Sequence, residues 1–246
     1  MPATREVAAV RRALAILDVL AKDRGELGTN EIARRAGVNV STISRILATL
    51  VSGGLVEHVP ASGRYRLGVG VMRLASAVRG RLDIRSLARP HLEELSRRCQ
   101  ETATVSVPGG HEAITLDFVQ SPRSVRSVAE VGRASAAHAT AVGKVVLAYG
   151  GTLPPGSLHR FTGRTIVDRE ALRAEVEMTR RQGWGSAAGE READLSAVAV
   201  PVLDQAGQLV AVLGVQGPAA RFGPEAMTEA VALMLERAAL IRAALA

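Results

Sequence analysis

Apolar residues recur at steps of three and four through the first fifty positions. Val7, Val10, Leu14, Leu17 and Leu20 or Ala21 fall on one face of a helix, with Arg11 and Arg12 beside that face and pointing outward. Asp23 to Gly28 is a polar, glycine-containing break. Thr29 is placed to N-cap a second helix over Asn30 to Ala36, which buries Ile32, Ala33 and Ala36 and stops at Gly37. Asn39-Val40-Ser41 opens a third helix with Ile43, Ile46, Leu47 and Leu50 on its inner side. Two short helices joined by so brief a turn have helix-turn-helix geometry. Gly53-Gly54 ends the third helix. Leu55 to Val59 and Arg64 to Leu67 then flank the polar tip Pro60-Ala61-Ser62-Gly63, which predicts a two-stranded wing.

Further along, Val71, Met72, Leu74, Ala75, Ala77 and Val78 give Gly70 to Gly80 an apolar helical face, and Leu82 to Ala88 continues to Pro90. Periodicity leaves two partners open for that face, the same chain's helices or its twin in a second copy. From His91 the pattern is mixed. His91 to Glu101 reads as a helix with Leu92 and Leu95 inward, Thr102 to Val107 and Ala113 to Val119 as strands about Pro108-Gly109-Gly110, and Val125 to Val131 as a third strand. Ala137 to Leu147 reads as helical, and Asp168 caps a helix to Arg181. Ala197 to Leu203 pairs with Gln208 to Val215 through Asp204-Gln205-Ala206-Gly207, and Gly223 to Leu245 is a closing amphipathic helix. Hairpin-linked strands with flanking helices predict an antiparallel sheet in an α+β domain.

The chain has 246 residues, 47% of them apolar, enough for two domains at about 100–200 residues each and too apolar for disorder. Its net charge is +7, unevenly spread: residues 1–90 carry 15 Lys and Arg against 7 Asp and Glu, whereas the remainder is nearly balanced. A basic first third suits a polyanion, although an arginine-rich solvated surface explains charge alone equally well. The outward positions of the third helix decide the matter. Ser41, Thr42 and Ser44 are small hydroxyls that permit close approach to base edges, and Arg45 supplies a planar fork for guanine or phosphate. Thr29 and Asn30 open the second helix, where free N–H groups favour a phosphate. Arg64 and Arg66 alternate on one face of the wing. These residues, with Arg11, are the predicted contacts to double-stranded DNA. The alternative is a small-molecule sensor whose N-terminal helices dock a protein.

Enzymatic signatures are missing. The histidines (58, 91, 111, 138 and 159) show no metal-ligand spacing, and there is no nucleophile elbow, P-loop or dinucleotide fingerprint. Gly214-Val215-Gln216-Gly217 reads as a strand end. Cys99, the single cysteine, excludes an internal disulfide and reads as a structural thiol. No apolar run reaches the length of about 18–20 residues that a membrane span needs, and no secretory signal is visible. The expectation is a soluble, cytoplasmic, non-enzymatic protein without metal or cofactor.

Several strings together resemble the IclR family of bacterial transcription regulators. They are Val10 to Leu17, Glu31 to Val38, Ser41 to Leu50, Tyr65-Arg66-Leu67-Gly68 and Ala137-His138-Ala139-Thr140-Ala141-Val142-Gly143-Lys144, followed by Gly183-Trp184, Gly189-Glu190-Arg191-Glu192 and Ala199-Val200-Pro201-Val202. Their order spans nearly the whole chain. The resemblance implies a winged helix-turn-helix (1–68), a linker helix (69–90) and a GAF-like effector-binding domain (91–246), assembled as a homodimer or tetramer on an operator and controlled by a small molecule. It favours pairing of the linker helix with its twin. It also implies an effector held by the amides of Ala141 and Val142 and by positions Ala187, Ala197, Gly214 and Gln216. Relatives that bind small keto acids have an acidic side chain, a thiol and a hydroxyl at the first three of those four positions. Ala, Ala and Gly here imply a wider, less polar pocket for an organic acid, larger or aromatic. His138 is expected to orient or cap the adjoining helix, with contact to the ligand as the alternative.

Overall fold

The computed structural model describes residues 7–23, 25–79 and 84–245, without the side chains of 75–79. It divides into two compact units, residues 1–82 and 83–246. In the first, α1 (Ala8–Lys22), α2 (Thr29–Ala36) and α3 (Val40–Ser52) precede the antiparallel wing strands β1 (Val56–Val59) and β2 (Arg64–Leu67) and then α4 (Gly70–Arg79). The core joins Ile16 and Leu20 from α1, Ile32 and Ala33 from α2, Ile43, Leu47 and Leu50 from α3, and Val56 from β1. Leu27 ties the break after α1 to the wing, because its N–H and carbonyl both pair with Tyr65.

The buried face of α1 is not the one that spacing suggests. Ile16 and Leu20 are buried with Ala13 and Leu17 against them, whereas Val7, Val10 and Leu14 are more than half exposed. The helix carries two apolar stripes, and this unit's core covers one. Thr29 is also displaced: it is the first residue of α2, Gly28 occupies the cap position, and no side chain caps that end. Asn39 does cap α3, its Oδ1 accepting from the Thr42 N–H at 3.0 Å.

The second unit begins with α5 (Ile84–Cys99), followed by β3 (Thr102–Pro108), β4 (Glu112–Val119) and the short β5 (Ala134–Ala136). After α6 (Ala141–Ala148) and α7 (Arg169–Gln182) come β6 (Gly185–Ala188), β7 (Leu195–Leu203), β8 (Leu209–Pro218) and α8 (Pro224–Ala244). The six strands form one antiparallel sheet in the order β5-β4-β3-β8-β7-β6. Its alternation divides the layers. Ala103 and Val105 of β3 pack with Leu92 and Leu95 of α5 and Met234 of α8. On the other face Ala199 and Val212 pack with Ala141 and Val145 of α6. The α+β architecture is as expected.

Three local expectations are corrected. Helix α5 runs through Pro90, because Ile84, Ala88, Leu92 and Leu95 form one unbroken buried stripe. An interior proline costs about 3 kcal/mol, and each large aliphatic buried returns about 1.5–3 kcal/mol. Pro90 itself is exposed. The expected continuation from Leu82 lies partly outside the described residues. Val125 to Val131 is not a strand. The edge of β4 is taken by Ala134–Ala136, and Val125, Val128 and Val131 are 70%, 66% and 51% exposed. Helix α6 starts at Ala141 instead of Ala137, because Thr140 Oγ1 caps it by accepting the Gly143 N–H at 3.1 Å. The edge strands β5 and β6 are too short to show a period in sequence.

Candidate functional site

In the first unit the outward face of α3 presents Ser41, Ser44, Arg45, Ala48 and Thr49 to solvent, with Thr42 half-buried. Arg45 has no carboxylate or hydrogen-bond partner among the described residues, so its fork faces outward uncommitted. The hydroxyls are engaged along the helix itself: Ser44 Oγ donates to the Val40 carbonyl and Thr49 Oγ1 to the Arg45 carbonyl, each at 3.1 Å, and Ser41 Oγ meets Asn39 Oδ1. Thr29 and Asn30 stand at the open N-terminus of α2, and Arg11 is exposed on α1.

The wing arginines share a face but not a state. Arg66 is tied to Glu57, its register partner on β1, with Nε 3.0 Å from Oε2, and lies 3.7 Å from Glu26. Among the described residues the Arg64 guanidinium donates only to the Glu26 carbonyl, at 3.1 Å, so no carboxylate neutralises its charge. On α2, Arg34 and Arg35 are also committed, to Glu31 and Asp23. Those two hydrogen-bonding arginines hold the Glu31 carboxyl down at about 2.

The second unit contains a cavity between the sheet and the start of α6. Ala141, Val142, Ala187, Ala197, Gly214 and Gln216 all line it. Strand register explains how distant positions meet. Ala187 pairs with Ala197, Ala197 with Gln216, and Gln216 with Thr102, a single row across β6, β7, β8 and β3. Ala141 and Val142 are the first two residues of α6, and the cap takes only the Gly143 N–H. Their own N–H groups are the ones an α-helix leaves without acceptors.

The cavity is not stripped of polar groups. Thr104, Ser106, Thr115, Ser127, Ser135 and Thr140 line it. Gly214 is opposite Thr104, and a Cβ there would lie 2.7 Å from Thr104 Oγ1 and 3.0 Å from a Val142 methyl. Neighbours therefore fill the space that a side chain would need, and β3 supplies the hydroxyl. The signal was present in sequence: Thr102, Thr104 and Ser106 alternate with Ala103 and Val105. Gln216 Nε2 donates to Ser127 Oγ at 2.8 Å. With Thr102 Oγ1 donating to the Ser127 carbonyl and Arg221 to that of Val125, it fastens the 122–133 segment that forms one wall.

Charged groups also reach this wall. Arg133 and Arg191 both line the cavity, and neither has a hydrogen-bonded acidic partner among the described residues. Arg191 lies 5.2 Å from the Phe161 ring centroid, and burial, aided by Arg133, pushes its pKa down. Sequence reading missed Lys144 as a structural centre. Fully buried, its Nζ donates to Glu190 Oε1 at 2.7 Å, the Ser186 carbonyl at 2.8 Å and Glu175 Oε1 at 3.0 Å. His138 neither caps α6 nor lines the cavity; its Nε2 lies 2.8 Å from the His159 carbonyl. Burial pushes the Cys99 thiol up to about 11, consistent with an inert role. No group of three or more His, Cys, Asp or Glu among the described residues could hold a metal, and no described helix is long and apolar enough to cross a membrane.

Known proteins share this organisation. Residues 9–60 match the IclR helix-turn-helix domain, and residues 76–243 match the bacterial transcriptional regulator IclR C-terminal domain. The HTH-type transcriptional regulator XynR of Escherichia coli is 33% identical over 213 residues, 84% of each chain. The solved structure of an IclR regulator from Silicibacter superposes with a TM-score of 0.84 at 28% identity, covering 97% of this chain and 96% of that one. An IclR homologue from Microbacterium hydrocarbonoxydans, complexed with 4-hydroxybenzoate, superposes with a TM-score of 0.78 at 28% identity, covering 97% and 99%. These relatives are regulators, a non-enzymatic role. An N-terminal helix-turn-helix joined to an effector-binding α+β domain, matched along nearly its whole length, makes this chain a member of the IclR family of DNA-binding transcriptional regulators.

Proposed function

We propose that the regulator responds to a carboxylic acid, aromatic acids included, bound in the cavity between α6 and the sheet. The observation that carries this is the convergence on one cavity of the open α6 N-terminus, at Ala141 and Val142, with the guanidinium groups of Arg133 and Arg191, neither of which is hydrogen-bonded to a carboxylate among the described residues. Helix N-termini and arginine forks both favour an anion. The 4-hydroxybenzoate complex of the Microbacterium homologue supports an aromatic acid. Ala187, Ala197 and Gly214 bring no polar side chain, so orientation falls to the β3 and β4 hydroxyls.

On DNA, α3 enters the major groove with Ser41, Thr42, Ser44 and Arg45 nearest the bases, while Arg64, Arg11 and the start of α2 hold the backbone. Two copies act together: exposed Val7, Val10 and Leu14 on α1, with Met72 and Leu74 on α4, supply apolar surface for a second copy. Effector binding favours one of two arrangements of the paired DNA-binding units.

Calorimetry with benzoate, 4-hydroxybenzoate, pyruvate and glyoxylate tests the effector, and a gel shift on DNA upstream of the gene, with and without the bound acid, tests the response. Binding of an acid that alters the shift is expected. No binding by any of the four at millimolar concentration would overturn the effector reading. Tight pyruvate or glyoxylate binding without preference for the aromatic acids would remove the aromatic class. A monomer that ignores duplex DNA at low salt would overturn the DNA arrangement.

A further inference from the structure

One hydroxyl on the cavity wall has no protein partner, and it stands beside the first turn of α6. Thr104 belongs to β3, an interior strand whose opposite side, at Ala103 and Val105, packs against α5 and α8. The residue is 6% exposed and lines the cavity. Its Oγ1 makes no hydrogen bond among the described residues, and unlike Ser106 Oγ, two residues on, it is not sealed off. The surface left to it therefore belongs to the cavity. Gly214, its register partner, shows where the hydroxyl stands. A Cβ at 214 would lie 2.7 Å from Thr104 Oγ1 and 3.0 Å from Val142 Cγ1, so the hydroxyl and the second residue of α6 flank one point. Ala141 and Val142 bring to that place the N–H groups that the helix leaves without acceptors. A nearly buried hydroxyl without a partner is costly, and an acceptor brought by a ligand removes the cost.

We propose that Thr104 Oγ1 donates its hydrogen to the carboxylate of the effector, joining the N–H groups of Ala141 and Val142 as a third donor. The inference rests on the acid-effector reading and names the side chain that holds the head of the acid. A hydroxyl can donate or accept, and its surroundings decide which. Here the neighbouring helix N-terminus favours an anion, so the hydroxyl donates, and a bond to a charged acceptor is stronger than one to a neutral group. Gly214 keeps the place open, because any side chain there would enter the space of the Thr104 hydroxyl and force it to shift. Positions 104 and 214 are thus alternative sources of one donor, and this chain uses β3.

The test is calorimetry on the full chain with benzoate, 4-hydroxybenzoate, pyruvate and glyoxylate, following whichever binds wild type most tightly. Thr104→Val keeps the shape and removes the donor, and is expected to weaken that acid about tenfold or more, as loss of a hydrogen bond to a charged acceptor does. Its urea midpoint is expected to hold or rise, because the hydroxyl has no partner in the protein to lose. A merely structural residue would lower the midpoint instead. Thr104→Ser restores the donor and is expected to bind within about threefold of wild type. Thr104→Ala clears the space beside Gly214, so adding Gly214→Ser to it is expected to recover part of the lost affinity from β8. Should Thr104→Val not fold, the Ser and Ala variants decide. Unchanged affinity in folded Thr104→Val or Thr104→Ala, an equal loss in Thr104→Ser, or no recovery on adding Gly214→Ser overturns this inference while leaving the acid reading in place. Failure of every acid to bind wild type overturns both.

Discussion

Glu57 and Arg66 face each other across the wing, Nε to Oε2 at 3.0 Å, so one of the two wing arginines is neutralised before any DNA arrives. The same contact lowers the Glu57 carboxyl below its ordinary pKa, chiefly through the Arg66 hydrogen bond. A carboxyl lowered by folding contributes above its unfolded pKa and loses that contribution as pH falls towards the folded one, so the pair persists at neutral pH. Arg64→Ala is therefore expected to weaken binding to every DNA sequence and to flatten the salt slope by about 0.9, one phosphate's worth. Arg66→Ala is expected to do less, and Glu57→Gln to steepen the slope by freeing Arg66. Fluorescence anisotropy across a salt series measures all three; equal losses at Arg64 and Arg66 would contradict the pairing.

The Arg45 guanidinium, on the exposed face of α3, has no partner among the described residues. Replacement by Ala is expected to cost about 1–3 kcal/mol on the operator and little on unrelated duplex, the signature of a base contact. Competitive gel shifts report it, and a uniform loss on both DNAs would make Arg45 a backbone contact.

Lys144 joins α6 to α7, to β6 and to the chain just after β6 through Glu175, the Ser186 carbonyl and Glu190 respectively. Lys144→Met removes the cation but leaves the carboxylates. The expected destabilisation is about 3–5 kcal/mol, read as a lower urea midpoint, and is confined to the second unit. Adding Glu175→Gln and Glu190→Gln is expected to recover part of it. A single variant as stable as wild type would show that the network does not hold these elements together.

Burial suppresses the thiolate of Cys99, raising its pKa to about 11. Ellman's reagent at pH 8 is expected to react far more slowly with native protein than with urea-unfolded protein. Because the folded thiol releases its proton later than the unfolded one, stability falls as pH climbs from about 9 towards 11. Rapid native reaction at pH 8 would place the sulfur in an open site.

Where one periodicity dominated, the sequence was readable. Ile43, Leu47 and Leu50 fix the inner side of α3, and the hairpin through Asp204 to Gly207 fixes β7 on β8. Difficulty arose where two structural demands share one pattern. Val10 and Leu14 repeat as regularly as Ile16 and Leu20, and spacing cannot say which stripe meets the unit's own core. Pro90 looks like a boundary until the stripe on both sides is seen to be continuous. All six expected positions line one cavity, and the hydroxyls of Thr104 and Ser106 join them from β3, whose alternation shows in sequence although nothing local says which cavity its polar side faces. Nor does any local string pair Lys144 with Glu175 and Glu190, residues 31 and 46 positions away.

Ser44 has already given its hydrogen to the Val40 carbonyl. An oxygen so committed comes to a base edge with lone pairs only, and the edges it suits are those offering amino groups, the exocyclic nitrogens of adenine and cytosine. Arg45 beside it carries nothing but hydrogens and suits guanine. Adjacent side chains on one turn thus speak opposite dialects, and a base pair shifted by one step under this helix would meet the wrong one.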